Sequence, residues 1–444
     1  MDIDELRESL AGSAVQAVDL ARRLGADQAE AASSFEKGLS VTVRMGELES
    51  LEHQQDRGLA ITVYRNNHKG SASTNDFSAR SLAETVEKAL SIASFTTADP
   101  KSGLADEELM AVDPPDLDLY HPWKLSVDEA TQIALNAEGA ARGADRRIQN
   151  SEGATVSSSA GLRAYANSHG FCGAYPTSSH SNSCSVVAKA ESGTLERDYW
   201  YTVARCADDL EGAQAVGIKA AERAVRRLGA RQISTRRLPV LFPAELARGL
   251  FGHFIAGIRG TSQYRKASFL LDACGKRVFP EWLNINEDPL IPRGMASAAF
   301  DLEGVATARR QLVEDGVLTG YVLSSYSARR LGLKTTGNAG GVHNLLVRPN
   351  AGSLGEIIAD CDEAFVVGEL LGQGVNTVTG DYSRGAAGFL VERGEIKYPV
   401  NEVTIAGSLT DMFAAIEAVG NDIDLRGAVR CGAVLIGTMT VAGQ

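Results

Sequence analysis

Hydrophobic positions follow a helical period in the first 25 residues and alternate with polar ones soon after. Over residues 4–24, Leu6, Leu10, Ala14, Ala17, Ala21 and Leu24 recur every three or four positions and Gly25 follows, which predicts an amphipathic helix and its stop. Val41, Val43 and Met45 then alternate with Ser40, Thr42 and Arg44, and Leu59, Ile61 and Val63 with Ala60, Thr62 and Tyr64, as in half-buried antiparallel strands. A second helix is expected over 78–94, with Leu82, Val86, Ala89 and Ala93 on one face. Residues 96–122 are dense in Pro, Asp and Gly and read as a long connection. Ser126 and Glu129 have capping-box spacing and open a helix with Ala130, Ile133, Ala134, Ala137 and Ala141 inward. Residues 147–206 read as a β-meander, and 208–228 as a helix carrying Leu210, Ala213, Gly217, Ala220, Ala224 and Leu228, stopped by Gly229.

The segment 238–260 joins a short apolar strand, Val240 to Phe242, to a helix with Pro243 expected at its first position. Leu246, Leu250, Phe251, Phe254, Ile255 and Ile258 form an apolar arc too broad for a surface helix. A second stripe holds Gly249, Gly252, Ala256 and Gly260, with His253 at the border. Each interior glycine costs about 1 kcal/mol against alanine, so a neighbouring group is expected to need the space. Beyond Gly260 the text is short apolar runs broken by Gly, Asn and Asp, with one helix expected over 410–419. The fold class is α+β in two domains. Residues 1–230 form an N-terminal α+β domain with an antiparallel sheet and helices, and 236–444 a C-terminal β-rich domain containing the 243–260 helix; a basic linker, Arg231 to Arg237, lies at the boundary.

A hydrophobic share of 44% over 444 residues is that of a globular protein large enough for two cores. The formal charge of −12 argues against nucleic acid and anionic membrane as partners. The start, MDIDELRESL, lacks the basic and apolar regions of a leader, and no stretch reaches the ~20 apolar residues of a membrane span. Six dispersed cysteines without a C-x-x-C pair read as reduced thiols, which points to the cytoplasm.

Motifs for nucleotide phosphates, H-E-x-x-H zinc sites and G-x-S-x-G hydrolases are absent. His169, Cys172, His180 and Cys184 have a zinc-like composition, although alternating strands would send them to opposite faces, and half-buried residues of a sheet is the competing reading. His343, after paired glycines, could line a ligand or be hydrogen-bonded structure; Cys431 could be reactive or a small buried hydrophobe. Asn376, Thr379, Asp381, Tyr382 and Arg384 lie among glycines in a stretch that suits a binding edge as well as a structural turn.

Several phrases, in order, carry a resemblance: YRKASFLLD (264–272), the run from FDLEGVATARR to GGVHNLLV (300–347), NTVTGDYSRGAAGFLVERGEIKYPVNEVTIAGSL (376–409) and RCGAVLIGTMTVAG (430–443). In these the chain resembles the TldD/PmbA metalloprotease family along its whole length. The resemblance implies a cytosolic two-subunit protease enclosing a cavity and degrading unfolded peptides, associated with peptide-antibiotic maturation, antitoxin turnover and the name "modulator of DNA gyrase". The catalytic branch carries His-Glu, three residues, then His on the helix described above, and a distant cysteine, as a zinc site. Here that hexad is Gly252-His253-Phe254-Ile255-Ala256-Gly257, with Cys431 at the cysteine position.

The resemblance therefore implies a non-catalytic subunit without a cofactor of its own, zinc in a TldD-like partner, and a homodimer as a possibility when the chain is alone. An extended peptide is expected to add to a sheet edge in 372–388. Two alternatives stand beside this: an autonomous hydrolase using His343 with Cys431 or zinc at 169–184, and a homodimer that binds peptides without cutting them.

Overall fold

The computed structural model describes residues 2–443. Helix α1 (Ile3–Arg23) is capped by Asp2, and Gly25 turns the chain out of it at φ +95°. Strands β1 (Gln28–Arg44), β2 (Glu47–Arg65) and β3 (His68–Thr74) are joined by two-residue turns, Met45-Gly46 and Asn66-Asn67, whose residues all have positive φ, as tight hairpins require. After α2 (Ala79–Phe95), the long connection and α3 (Val127–Ala144), the chain makes a meander of β4 (Ile148–Asn167), β5 (Cys172–Lys189) and β6 (Leu195–Ala204), then α4 (Ala213–Arg226). All six strands form one antiparallel sheet in the order β3-β2-β1-β4-β5-β6.

The first two strands run far beyond the alternating windows that announce them. Residues 47–57 of β2 are exposed on nearly every position, so no buried face imposes an alternation there. The helix expected over 208–228 begins only at Ala213: residues 207–209 make a single 3₁₀ turn, and Gly212 serves as N-cap without a side-chain bond.

Helices α1 and α2 cover one end of the sheet face through Leu59, Ile61 and Val63, and α3 and α4 the other end through Val41, Val43, Val156 and Val186. The predicted capping box of α3 forms between Ser126 and Glu129. The helices are faced with alanine, which permits close approach. Gly217 of α4 is the extreme case, since a methyl group there would lie 1.9 Å from the Ala137 carbonyl oxygen of α3. Glu138, almost fully buried, accepts from the Met45 and Gly46 N–H groups and so ties α3 to the first hairpin turn.

The second half begins with β7 (Arg236–Phe242) and α5 (Ala244–Ile258), followed by α6 (Gly260–Tyr264), β8 (Ile285–Glu287), β9 (Arg310–Glu314), β10 (Val317–Leu318), α7 (Ser325–Leu331), β11 (Leu345–Val347) and α8 (Leu354–Asp360). It ends with β12 (Glu363–Leu371), β13 (Asp381–Glu392), β14 (Glu395–Ser408), α9 (Leu409–Ala414), β15 (Ile416–Val419), β16 (Val429–Arg430) and β17 (Val434–Ala442). One sheet has the order β14-β13-β12-β7-β17-β15, and a further pairing of β14 with β17 closes it into a barrel. The small second sheet is β10-β9-β8-β11-β16. The late helix expected over 410–419 ends at Ala414, because Ile416 and Val419 pair with Ile436 and Val434; a spacing of three fits either element and the sheet partner decides. Three short helices, α6, α7 and α8, lie in stretches that read as strands and loops.

The two halves meet through buried charge. Arg223 of α4 binds Asp198 of β6 at 3.0 Å and Glu245 of α5 at 2.6 Å, and Arg227 bridges Glu196 at 3.4 Å and Glu369 of β12 at 2.5 Å. On the opposite sheet face Phe300 packs edge-on against Phe171 and Tyr175.

The helix layer supplies a paired test. Gly217→Ala should lower unfolding free energy by about 1–3 kcal/mol through the forced separation of α3 and α4. Gly139→Ala, in α3 where a methyl group would meet nothing within 4 Å, should raise it by about 0.5–1 kcal/mol. Denaturant melts of both variants check this, and equal midpoints would refute the packing account.

Candidate functional site

Helix α5 lies between the two sheets of the second half. Its Leu250, Phe251, Phe254 and Ile258 share one core with Val240 and Phe242 of β7, Phe365 of β12 and Leu390 of β13 on one side, and with Ile285, Val313 and Leu345 of the small sheet on the other. Phe279 and Phe413 meet Phe254 edge-on, at 5.1 and 6.2 Å between ring centroids. Pro243 is the N-cap rather than the first helical residue; its carbonyl accepts from the Leu246 and Ala247 N–H groups.

The glycines of α5 meet two different surroundings. Gly249 and Gly252 are exposed, and a methyl group at either would meet no atom within 4 Å, so this part of the stripe opens outward instead of receiving a neighbour. Gly257 is buried, and a methyl group there would stand 2.9 Å from the Phe269 ring. Its carbonyl accepts from Gln263 Nε2 at 2.7 Å and Ser268 Oγ at 2.6 Å, which pins the Phe269 segment beneath the helix. Phe269 was invisible as a site residue in the sequence, where it is one more apolar residue in a short run. Only an aromatic facing a helical glycine across eleven residues gives it meaning.

His253 stands half-buried at the edge of the open stripe, its ring edge-on to Tyr382 at 6.1 Å between centroids. Tyr382 is 2% exposed, and its hydroxyl has no hydrogen-bond partner. Burial pushes its pKa up to about 12, opposed by the Arg384 guanidinium beside it. Burial and then the charge of Arg384 hold the His253 imidazole below the ordinary histidine value of 6.5. Tyr382 and Arg384 lie two apart in β13 and so project to one face.

Of the other residues singled out in 376–384, Asn376, Thr379 and Asp381 close a tight loop. Asn376 Oδ1 accepts from the Val378 and Thr379 N–H groups at 2.9 and 3.3 Å, and Thr379 Oγ1 donates to Asp381 at 2.6 Å. The sheet edge expected in 372–388 is not an edge: β13 is paired with β12 on one side and β14 on the other, and the Ser383 N–H bonds the Gly374 carbonyl. Glycines there serve close strand packing, as at Gly388, where a methyl group would lie 2.1 Å from the Val366 carbonyl oxygen.

The remaining candidates do not assemble. His343 aims both ring nitrogens at carbonyls, Ala296 at 3.2 Å and Gly337 at 3.3 Å. Cys431 is fully buried near the start of α5, with Sγ 3.9 Å from the Ala244 carbonyl oxygen and its pKa pushed far up by burial. In the β11–β16 register Arg430 faces Leu346, so Cys431 stands about four strand residues, roughly 13 Å, from His343; a His–Cys pair is ruled out. His180 is held by Ser158 and the His121 carbonyl, His169 by the Ala105 carbonyl, and Cys184 sits in the helix-layer core. Cys172 and Cys184 are twelve residues apart in one strand, about 40 Å, so these four cannot share a zinc ion.

A zinc ion does not fit α5 either. Gly252 offers no ligand, the space at Gly257 is filled by Phe269, Cys431 is held as a thiol, and a cationic guanidinium flanks the one imidazole. Zinc takes three or four protein ligands, and among the described residues no three His, Cys, Asp or Glu side chains stand together as a metal-binding group.

Three family descriptions match the chain: PmbA/TldA metallopeptidase domain 1 over residues 29–93, the central domain over 120–228 and the C-terminal domain over 235–443. A metalloprotease PmbA of Escherichia coli O157:H7 is 50% identical over 94% of this chain and 93% of its own. The crystal structure of a candidate modulator of DNA gyrase from Bacteroides thetaiotaomicron superposes with a TM-score of 0.93 at 26% identity, covering 98% of both chains. TldE from Thermococcus kodakarensis shares the fold, with a TM-score of 0.86 at 19% identity over 97% of this chain and all of its own.

Two measurements check the site. Gly257→His should cost at least about 1–3 kcal/mol of stability by overpacking against Phe269, whereas Gly252→His should stay within about 1 kcal/mol of the parent; indistinguishable melts would sink this account. The His253 ring is kept neutral in the folded chain, while the unfolded ring takes up a proton near pH 6.5. Its contribution to stability is therefore full above that pH and lost as pH falls through the lower folded value. His253→Gln should flatten the fall in stability between about pH 7 and 5, and a variant whose pH profile runs parallel to the parent's would disprove the shift.

Proposed function

This chain belongs to the PmbA/TldD metallopeptidase family, and from that premise we propose that it is the non-catalytic subunit of a two-chain zinc protease acting on unfolded peptides. The observation that carries the reading is the state of α5. A metal-bound water and a carboxylate base are what zinc hydrolysis needs, and this helix presents glycine, histidine and glycine where two ligands and a glutamate would stand. The filled space beneath Gly257 goes further than a missing side chain, since a ligand could not be accommodated there without moving Phe269.

In this reading a TldD-like chain supplies the zinc, and the bare Gly249–Gly252 face of α5 lines the cavity shared by the two. The exposed Leu371 and Val378, beside the glycine-rich loop, are apolar surface available to that partner or to an extended substrate. Maturation of a peptide antibiotic and turnover of an antitoxin are substrate roles of the expected class, and the setting is the cytoplasm.

The test is co-expression with a TldD-like chain, a zinc count on the purified complex, and cleavage of unfolded casein by each chain and by both. One zinc per pair, cleavage by the pair and none by this chain alone is the expected outcome. Stoichiometric zinc in the isolated chain together with zinc-dependent cleavage would overturn the reading.

A further inference from the structure

Many arginines inside this fold are matched to carboxylates. Arg223 and Arg227 hold Asp198, Glu245, Glu196 and Glu369 at the junction, Arg310 holds Glu287 at 2.6 Å, and Arg426 grips Asp424 with two nitrogens at 2.9 and 3.0 Å. Arg384, like Arg205 and Arg430, has an unpartnered Nε and no carboxylate in an ion pair, and it alone of the three has a buried, unpartnered tyrosine hydroxyl beside it. It is half-buried on β13 and makes no ion pair within 4 Å among the described residues. Next to it the hydroxyl of Tyr382, inside a residue 2% exposed, faces only that guanidinium and has no acceptor for its proton. The third member, His253, has only Arg384 as a charged neighbour.

Buried donors without acceptors are rare in folded proteins, and two on adjacent groups call for a ligand that accepts. A guanidinium offers a planar fork of N–H groups and a phenol one O–H. A carboxylate answers both, taking two parallel bonds from the fork and one from the hydroxyl. A metal ion is repelled by the same guanidinium. Access comes from the half-exposed end of Arg384 and along the face of α5 that Gly249 and Gly252 leave bare, where an extended chain could lie against the helix.

We propose that Arg384 and Tyr382, bordered by His253, form a binding site for a carboxylate of a peptide chain, either its C-terminus or an acidic side chain. The site is made by this chain's own helix and barrel strand and stands whether or not a partner subunit joins it. In the bound state Arg384 carries the charge recognition and Tyr382 donates from the buried side.

Three N-terminally labelled hexapeptides of Gly, Ser and Ala test it on the full-length chain by fluorescence anisotropy: one with a free C-terminus, one amidated, and one amidated with a single internal Glu. The free acid, the Glu peptide or both should bind at least about tenfold more tightly than the plain amide, as one charge-assisted bidentate contact warrants, and which of the two does so identifies the source. Arg384→Gln should abolish the difference and Tyr382→Phe should shrink it several-fold, each with a melting temperature near the parent's, because neither removes a partnered group. Equal binding of all three peptides, no binding of any at millimolar concentration, or a preference that survives both substitutions would overturn the proposal.

Discussion

The burial of one broad face of α5 between two sheets is the constraint on which the second half rests. Each large apolar side chain it removes from water is worth about 1.5–3 kcal/mol, and Leu250, Phe251, Phe254 and Ile258 give both the barrel and the small sheet their common core. A helix has only one opposite face, so once this arc is committed the stripe of Gly249, Gly252 and His253 must open outward. The rotation that buries Phe254 against Phe279 and Phe413 is the same one that sets the His253 ring against Tyr382. Site and core are therefore two sides of one packing solution.

Charge is distributed with equal consequence. At the junction of the halves, Arg223 and Arg227 are largely shielded from water and each binds two or more carboxylates. Removing one member of such a network leaves an uncompensated charge, which costs far more than the pair contributes; the network fixes how α4 and β6 sit on α5 and β12. Arg384 is a counter-case. It is shielded on one side and unmatched, an arrangement that disfavours a cation at α5 and favours an anion. A guanidinium beside the one imidazole of the hexad makes that region inhospitable to a zinc cation.

How much of this could be read from the sequence depended on the range of the interaction. The capping box of Ser126 and Glu129, the stop at Gly25 and the alternation around Val41 and Ile61 are written in neighbouring residues, and they appear as expected. Residues 47–57 carry no alternation because no layer covers them, so their strand was unreadable by pattern. Ile416 and Val419 were misassigned because helix and strand share their spacing and the deciding partner, β17, lies about twenty residues on. The 372–388 stretch failed in the other direction. Its glycines resemble those of a ligand-facing edge, yet they answer to backbone approach inside a paired strand, a distant contact that local composition does not encode.

The two glycines of the hexad carry that point to its limit. In the sequence Gly252 and Gly257 are equivalent, each a glycine on the same helix. In the fold they are opposites: a side chain at 252 would enter open space, while one at 257 would collide with Phe269, which Gln263 and Ser268 hold in place through the Gly257 carbonyl. The open space at 252 leaves a surface that another group can occupy. The space at 257 is filled by Phe269, so a histidine placed at 252 is a surface change and one placed at 257 is a core change. The shell around the helix is thus organised for its present glycines, and Tyr382 and Arg384 stand at its open edge beside His253.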